Sequence, residues 1–246
     1  MTRRNGAFRI FLYNWPVYVG TWVFALATAL LFLLARPPLS WLAALAAVVA
    51  FVWSMASLFV SHYIYDRSAL VSGGWVPGLL GARDGAWATI HAGLDAEVEL
   101  DEIMGGPCIA RLDIFDPRLM TSPSIARARS RTHMTRQASS CSPTALALES
   151  GACDAIVVAF TAHEIRDRGS RELFFDELRR SLRPGGRVLI VEHLRDLANF
   201  LSFGPGFLHF ESRREWLRLA SHANFAVASE TRITPWVMAL ALERPR

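Results

Sequence analysis

The sequence predicts an α/β fold, with a mainly parallel sheet, that follows an N-terminal two-helix transmembrane hairpin. Two uncharged stretches near the N-terminus are each longer than the roughly 20 residues that a helix needs to cross a bilayer. After them, short apolar runs alternate with amphipathic stretches, which indicates strands separated by helices. We therefore expect residues 1–64 to form the hairpin and residues 65–246 to form the α/β domain.

The composition is that of a folded chain with an apolar surplus. Of its 246 residues, 52% are hydrophobic and 20% are charged, which excludes disorder over most of the chain. All 26 basic residues are arginine, against 22 acidic residues, and the formal net charge is +4. Because the arginines are scattered and no basic groove with interleaved aromatic residues is visible, we expect no nucleic-acid partner. Three cysteines without a CxxC spacing favour a reduced, cytoplasmic interior.

In the hairpin, we expect helices at about residues 15–35 and 39–61, joined by a tight loop of Arg36, Pro37 and Pro38. Two alternatives fit less well: a cleaved signal peptide has a shorter apolar core, and a helical hairpin buried in a soluble protein needs a polar face. Arginines precede the first helix and follow the second, whereas the loop offers only Arg36. By the positive-inside rule, we expect a multi-pass protein of the cytoplasmic membrane, with both termini and the α/β domain on the cytoplasmic side.

Periodicity and chain breakers divide the α/β domain into elements. The strands are expected at residues 86–92, 108–115, 154–161, 187–192, 226–234 and 236–243. The helices are expected at residues 96–104, 171–182 and 213–222. The run from Asp154 to Thr161 is apolar throughout most of its length, which is typical of a strand buried on both faces. The sequence Pro184-Gly185-Gly186 predicts a tight turn that ends the helix before it.

Residues 121–150 do not fit this alternation. They are rich in Ser, Thr, Arg and Ala and show no sustained period. We expect a flexible basic segment here, either a solvated loop or a short surface helix. The alternative is a basic patch that touches anionic lipid headgroups or an acidic substrate.

The stretch from Asp154 to Glu192 resembles the second half of a class I S-adenosylmethionine-dependent methyltransferase. An acidic residue opens the fourth strand in GACDAIVVAF, and LRRSLRPGGRVLIVE leads from a helix into the fifth strand. The phrase Ala223-Asn224-Phe225, followed by AVASETRITPWVMALALER, matches the turn and antiparallel strand pair that end the family's domain. The resemblance covers roughly residues 86–246 and extends to a membrane-anchored bacterial subgroup with HE-(I/L)-R and EHLRD-x-x-N-F phrases. It implies a Rossmann-like sheet and S-adenosyl-L-methionine as the cofactor.

The resemblance also implies where the methyl donor lies. The family's first loop reads (D/E)-x-G-x-G-x-G, whereas the aligned segment IHAGLDAE offers only Gly93. Asp113 is the best match, and Asp116 the second, to the acidic residue that binds the ribose, since a carboxylate can accept two hydroxyl donors. Tyr65 follows the second membrane helix in a segment that either caps a helix or closes over the cofactor. We predict that Tyr65 closes over the cofactor.

Polar residues follow the fourth and fifth strands and the segment after them. Because the carboxyl ends of parallel strands meet at one edge, we expect His163, His193 and His209 to converge with Glu164. Methyl transfer is an in-line displacement that needs positioning and often a base, and a histidine beside a carboxylate can take a proton near neutral pH. These four residues are the catalytic candidates, His163 first. Two residues at the same strand end are expected to contact the cofactor: Thr161 and Ala162.

Three histidines with carboxylates can also bind a metal. No HxH or HxxxE-H spacing supports such a site, so no metal is expected. Four residues are predicted to contact the acceptor: Arg195, Asn199, Phe207 and Phe210. Arg195 has a structural alternative, an ion pair with Glu192.

These expectations combine into a membrane-anchored methyltransferase that acts on a small or lipophilic acceptor, such as a lipid headgroup amine, a quinone-like phenol or a thiol. The alternative is a degenerate methyltransferase fold that acts as a membrane-tethered binding or scaffold protein without catalysis. The missing loop glycines favour the alternative, whereas the intact polar cluster favours the enzyme. No feature of the sequence selects an oligomeric state.

Overall fold

The chain begins with a helical hairpin. The computed structural model describes these residues: 6–81, 84–93, 100–131 and 138–246. Helix α1 (Gly6–Leu34) and helix α2 (Leu39–His62) are joined by a short loop. Helix α1 begins well before the predicted residue 15, because the Asp66 carboxylate accepts hydrogen bonds from the backbone amides of Gly6 (2.5 Å) and Ala7 (3.2 Å). This distant carboxylate satisfies two of the amides that a helix N-terminus leaves without an intrahelical partner.

Both N-terminal helices are long and apolar enough, by length and composition, to cross a membrane. Large apolar side chains are exposed along both of them, for example at Val23, Leu33, Phe51 and Phe59. The seam between the helices is more polar than the sequence pattern indicates. The hydroxyl groups of Tyr18 and Ser57 lie 2.9 Å apart, and Nε1 of Trp22 donates to Oγ of Ser54 at 3.1 Å.

A seven-stranded sheet forms the centre of the α/β domain. Its strands are β1 (Trp87–His91), β2 (Cys108–Asp113), β3 (Ser139–Ser140), β4 (Cys153–Ala159), β5 (Leu182–His193), β6 (Ala226–Thr234) and β7 (Val237–Glu243). The strand order is β3-β2-β1-β4-β5-β7-β6, and only β7 runs antiparallel to its neighbours. The predicted Rossmann-like, mainly parallel sheet is therefore confirmed. The order reverses between β1 and β4, where sheets of this kind place their ligand crevice.

Helices cover both faces of the sheet. Alternate residues of β4 face opposite sides, so Ile156 and Val158 enter one core and Ala155 and Val157 enter the other. The first core is closed by helices α5 (Pro123–Arg131), α6 (Arg168–Ser181) and α8 (Arg213–His222). The second is closed by the base of α2, a π-helical turn (Tyr63–Arg67), α3 (Ala69–Ser72) and α4 (Val76–Leu80). Helix α7 (Leu197–Phe203) and a 3-10 segment (Gly204–His209) follow β5.

Three local predictions differ from the structure. Gly185, with a φ of 82°, belongs to an irregular start of β5 rather than to a turn, because its amide donates to the carbonyl oxygen of Arg244 at 2.7 Å. Within the segment predicted to be flexible, α5 buries Ile125 and Ala128 completely. The predicted helix 96–104 lies partly outside the described residues, and its remainder contains a 3-10 turn at Leu100–Glu102.

Candidate active site

The end of β4 is shaped by the fully buried carboxylate of Glu192 on β5. Its Oε1 accepts the backbone amides of Thr161 (3.1 Å) and His163 (3.3 Å). Its Oε2 lies 2.6 Å from Nδ1 of His163, so Nδ1 donates its proton to the carboxylate. The chain leaves β4 through Phe160, whose φ of 51° is rare for a residue with a side chain. Glu192 thereby holds the His163 ring with Nε2 turned away from it.

Glu164 joins two histidines that are distant in sequence. Its Oε1 lies 3.3 Å from Nε2 of His209 and 3.6 Å from Nε2 of His163. Its Oε2 accepts a hydrogen bond from the hydroxyl of Ser122 at 2.8 Å. The predicted convergence of these residues is thus present, with Ser122 as a member that the sequence pattern did not indicate.

The carboxylates control the charge of this cluster. Burial opposes a charge on His163, but the charge of Glu192 and the hydrogen bonds that His163 donates to both carboxylates raise the pKa of His163 to about 10. Burial likewise opposes a charge on Glu164, but the contacts with His163 and His209 hold the pKa of Glu164 well below its usual range. At neutral pH the His163 imidazole is therefore protonated, and its positive charge balances part of the buried carboxylate charge of the cluster.

His193 is held in a different way. Its Nδ1 donates to the carbonyl oxygen of Trp236 at 3.0 Å, so its Nε2 accepts the hydroxyl proton of Tyr65 at 2.8 Å. Burial, with the charge of His163 next, lowers the pKa of His193 to about 4. Both ring nitrogens of this neutral imidazole are engaged, so His193 positions Tyr65 and is not free to act as a base.

One cavity of about 790 Å³ connects the hairpin to this polar cluster. Its wall runs along α1 from Ile10 to Phe24 and along α2 from Ala46 to Ser61. At its other end, the wall is formed by polar residues that include Tyr65, His163, Glu164, His193 and His209. Aromatic and glycine residues after β5 close the side, among them Phe203, Gly204 and Phe210. Along the hairpin, the cavity is thus lined by apolar side chains interspersed with hydroxyl and amide groups, and at the edge of the sheet it is lined by imidazole and carboxylate groups.

Two residues predicted to bind the cofactor, Gly93 and the ribose-binding candidate Asp113, lie at the carboxyl ends of β1 and β2. Asp113 is almost completely buried, and both of its oxygens accept from one guanidinium nitrogen of Arg129 (2.9 and 2.8 Å). Gly93 has a φ of 93°, and a side chain there would meet Arg129 at 3.1 Å. The guanidinium also lies over the ring of Phe115, 4.4 Å from its centroid. A carboxylate beside a glycine-lined strand end suits a ribose, and Arg129 holds that position in this structure.

The profile of a family described as "Methyltransferase domain" matches residues 119–190, which include β4, His163 and Glu164. The chain is an S-adenosylmethionine-dependent methyltransferase. The match favours the enzyme over the alternative of a non-catalytic scaffold, and no curated protein sequence matches the chain.

Solved structures agree with this methyltransferase in fold. A SAM-dependent methyltransferase from Aquifex aeolicus is 14% identical with a TM-score of 0.54, covering 74% of this chain and 93% of its own. The 1,6-didemethyltoxoflavin-N1-methyltransferase of Burkholderia thailandensis is 17% identical with a TM-score of 0.51, covering 80% of this chain and 89% of its own. At these identities, the similarity establishes the fold alone.

The other predicted site residues of the methyltransferase occupy different positions. Thr161 and Ala162 are buried behind the cluster. Arg195 lies outside the cavity lining and donates to the carbonyl oxygens of Phe210 (2.7 Å) and Leu208 (3.2 Å), so it braces the loop after α7.

Two further predicted acceptor contacts, Asn199 and Phe207, also lie outside the cavity lining. The amide of Asn199 donates to Asp196 at 3.0 Å and to the carbonyl oxygen of Trp236 at 3.1 Å, and the ring of Phe207 contacts that of Phe200. Phe210 lines the cavity, with its ring centroid 4.7 Å from that of His193.

Sequence reasoning missed the contribution of the hairpin to the site. Tyr18 and Trp53 line the same cavity as the histidines, although both lie in segments predicted only to anchor the chain. The side chain of Trp53 donates to the carbonyl oxygen of Leu201 at 3.0 Å, which ties α2 to α7. Serines at residues 54, 57 and 61 mark the inner face of α2 at helical spacing, and this spacing is the signal that could have identified the seam.

Proposed function

We propose that this methyltransferase is anchored in the cytoplasmic membrane by α1 and α2 and that it methylates a small lipophilic acceptor. The observation that carries the proposal is the single cavity that joins the hairpin to the histidine–glutamate cluster. An acceptor whose apolar part lies between the helices would present its polar end at the carboxyl edge of the sheet. This arrangement resembles other ligand pockets, which are mostly apolar with a few convergent polar groups.

The length of the cavity supports an acceptor taken from the bilayer. The lining positions on α1 extend from Ile10 to Phe24. At 1.5 Å per residue this is about 21 Å of helix, compared with roughly 30 Å for the hydrocarbon core of a bilayer. A methyltransferase for a water-soluble acceptor has no physical need for a groove of this length between two long apolar helices beside the site.

The donor and the acceptor are assigned to neighbouring strand ends. S-adenosylmethionine supplies an electrophilic methyl group when it is bound. Gly93 and Asp113 are the residues that would hold it, since an open backbone and a buried carboxylate fit a ribose. The chain's own contribution is to orient the acceptor atom, to exclude water and to move its proton.

The polar cluster is assigned to the acceptor. His163 and His209 direct Nε2 toward Glu164 at the polar end of the cavity, where an acceptor hydroxyl or thiol would lie. His193 and Tyr65 are positioning residues, because their polar atoms are committed to each other. The ring of Phe210 stacks on that of His193 and the ring of Phe203 contacts it edge-on, so both phenylalanines cover the His193 imidazole.

The proposal is tested by following a labelled methyl group. The full-length protein, reconstituted in lipid nanodiscs, is incubated with methyl-labelled S-adenosylmethionine and either a membrane lipid extract or a water-soluble metabolite extract from the same cells. We expect label in the organic-extractable product with the lipid extract. Label found solely in water-soluble products, while S-adenosylhomocysteine still raises the melting temperature, would refute the lipophilic acceptor but not the donor site.

A further inference from the structure

We propose that His163, Glu164 and His209 bind a divalent transition-metal ion of the Zn²⁺ class, which coordinates the acceptor's attacking atom. The metal site itself is inferred from the geometry of the three side chains. The assignment of the coordinated group to the methyl acceptor rests on the proposed function. The expected substrate class thereby narrows to acceptors with a hydroxyl or thiol group.

The separations of the candidate ligand atoms fit one ion. Nε2 of His163 and Nε2 of His209 lie 3.6 and 3.3 Å from the same oxygen of Glu164. One ligand atom from each of the three residues lies within 4.8 Å of the others. Three ligands bound tetrahedrally at about 2.1 Å from an ion lie about 3.4 Å from one another. Small side-chain adjustments would therefore bring all three atoms into one coordination sphere.

The neighbours of these residues orient them as metal ligands. A histidine that binds a metal usually donates its other ring proton to a carboxylate or carbonyl group, which fixes the tautomer and the ring. His163 donates Nδ1–H to Glu192 at 2.6 Å, so Nε2 is the atom left for an ion, which displaces the Nε2 proton when it binds. Ser122 donates to Oε2 of Glu164 at 2.8 Å, which leaves Oε1 for the same ion.

The ligand set indicates the class of metal and the place of the acceptor. Two imidazoles and one carboxylate suit Zn²⁺ or Fe²⁺, whereas Ca²⁺ and Mg²⁺ prefer sites made of oxygen ligands. Three protein ligands leave at least one coordination position for water or substrate. All three side chains line the acceptor cavity, so the open position would face its content. The sequence spacing hid this site because His209 comes from a loop far along the chain.

Metal coordination would generate the nucleophile. A coordinated hydroxyl or thiol has a lowered pKa and releases its proton to solvent water at neutral pH. A lone pair of the resulting oxygen or sulfur anion forms the bond to the methyl carbon. The carbon–sulfur bond of the sulfonium breaks, and its electron pair remains on the donor sulfur. The products are the methylated acceptor and S-adenosylhomocysteine.

Cobalt substitution tests the site without an acceptor. The full-length protein in detergent is stripped with a chelator and titrated with Co²⁺, followed by visible ligand-field absorption and by competition with Zn²⁺. We expect one equivalent per chain in the wild type and loss of that binding in His209→Ala and Glu164→Gln. Glu192→Gln, which removes the orienting charge, is expected to weaken binding by about 10- to 100-fold. His222→Asn is the matched control, because His222 pairs with Asp176 on the surface, 3.6 Å away.

Each variant is checked by the rise in melting temperature with S-adenosylhomocysteine, which reports an intact donor site. His209 is about one-third exposed, so His209→Ala is the variant that tests binding even if Glu164→Gln fails to fold. Absence of Co²⁺ binding in a wild-type protein that responds to S-adenosylhomocysteine, or unchanged binding in His209→Ala, would overturn the metal site. A wild-type protein that binds Co²⁺ but does not respond to S-adenosylhomocysteine would instead count against the proposed function.

Discussion

At the scale of single residues, we propose that Arg129 and the cofactor compete for the carboxylate of Asp113. The guanidinium donates to both oxygens of Asp113 and lies against Gly93, where a ribose is expected. Cofactor binding therefore requires that Arg129 leave Asp113. The ion pair also balances the buried charge of Asp113. Removal of the Arg129 guanidinium should therefore lower the stability of the ligand-free protein and raise its affinity for the cofactor.

The variant Arg129→Gln separates these two effects. We expect the ligand-free protein to lose roughly 1–3 kcal/mol of stability, because the Asp113 carboxylate loses its charged partner. We expect S-adenosylhomocysteine to bind several-fold more tightly, because no competitor has to be displaced. Calorimetric titration and thermal unfolding measure both quantities, and Asp113→Asn, which removes the acceptor charge, is expected to weaken binding. Weaker binding by Arg129→Gln would show that Arg129 contacts the cofactor instead.

At the scale of elements, α2 presents two neighbouring valines to different surroundings. Val49 lines the cavity, whereas Val48 does not line it and is 59% exposed. A tryptophan at residue 49 would fill part of the groove, and a tryptophan at residue 48 would face outward. The pair therefore distinguishes a groove that holds the acceptor from a hairpin that serves only as an anchor.

We expect Val49→Trp to reduce methyl transfer into the lipid extract by about tenfold or more, since the acceptor loses contacts along the groove. Val48→Trp is expected to keep the wild-type rate. Both variants are expected to retain the response to S-adenosylhomocysteine, which shows that the donor site is intact. Equal rates in the two variants would mean that the acceptor does not enter the hairpin.

Elements with strong periodicity were predictable from the sequence. Helix α8 has the predicted bounds, and the bounds of β6 and β7 lie within a residue of the prediction. These elements are predictable because their hydrophobic periodicity and the residues that end them lie within or next to the elements themselves. For α5, the sequence offered a short surface helix as one of two alternatives, but not its burial, because that burial depends on the sheet and not on the helix's own composition. The start of α1 was missed because its cap, Asp66, lies in a distant segment.

The same distinction applies to the site. The sequence predicts where a parallel strand ends, so the convergence of His163, Glu164 and His209 could be predicted from it. The pairing of Asp113 with Arg129 could not be predicted from the sequence, because it depends on how α5 packs against the strand ends in the folded protein. Nor could the cavity wall on α1 and α2 be predicted, since a sequence does not show how a hairpin packs on a domain.

At the scale of the whole molecule, His193 links the hairpin to the sheet. It accepts from Tyr65 at the base of α2 and donates to Trp236 beside β7. Two charged groups act on it: the charge of His163 lowers the His193 pKa, and the charge of Asp196 raises it. Protonation of His193 would remove the lone pair that accepts from Tyr65.

Acid is therefore expected to destabilise the protein through His193. Folding lowers the pKa of His193 from 6.5 to about 4, so the folded state binds fewer protons than the unfolded state between these values. The stability that depends on neutral His193 is present above pH 6.5 and is lost as the pH falls, by about 2 kcal/mol between pH 7 and 5. Glutamine keeps one donor and one acceptor without titrating, so His193→Gln should lose less stability over this range in thermal unfolding. An identical pH profile would contradict this role.

Helix α5 has a consequence for the order of events in turnover. Pro123, Ser124 and Arg127 border the cavity, and Arg129 on the same short helix holds Asp113. Arg127 also donates to the carbonyl oxygen of Tyr13, which ties this helix to α1. If the donor displaces Arg129 from Asp113, the change would be passed along this helix to the residues that border the acceptor's part of the cavity. The two substrates are then kinetically interdependent, and we expect an ordered mechanism in which the donor loads before the acceptor.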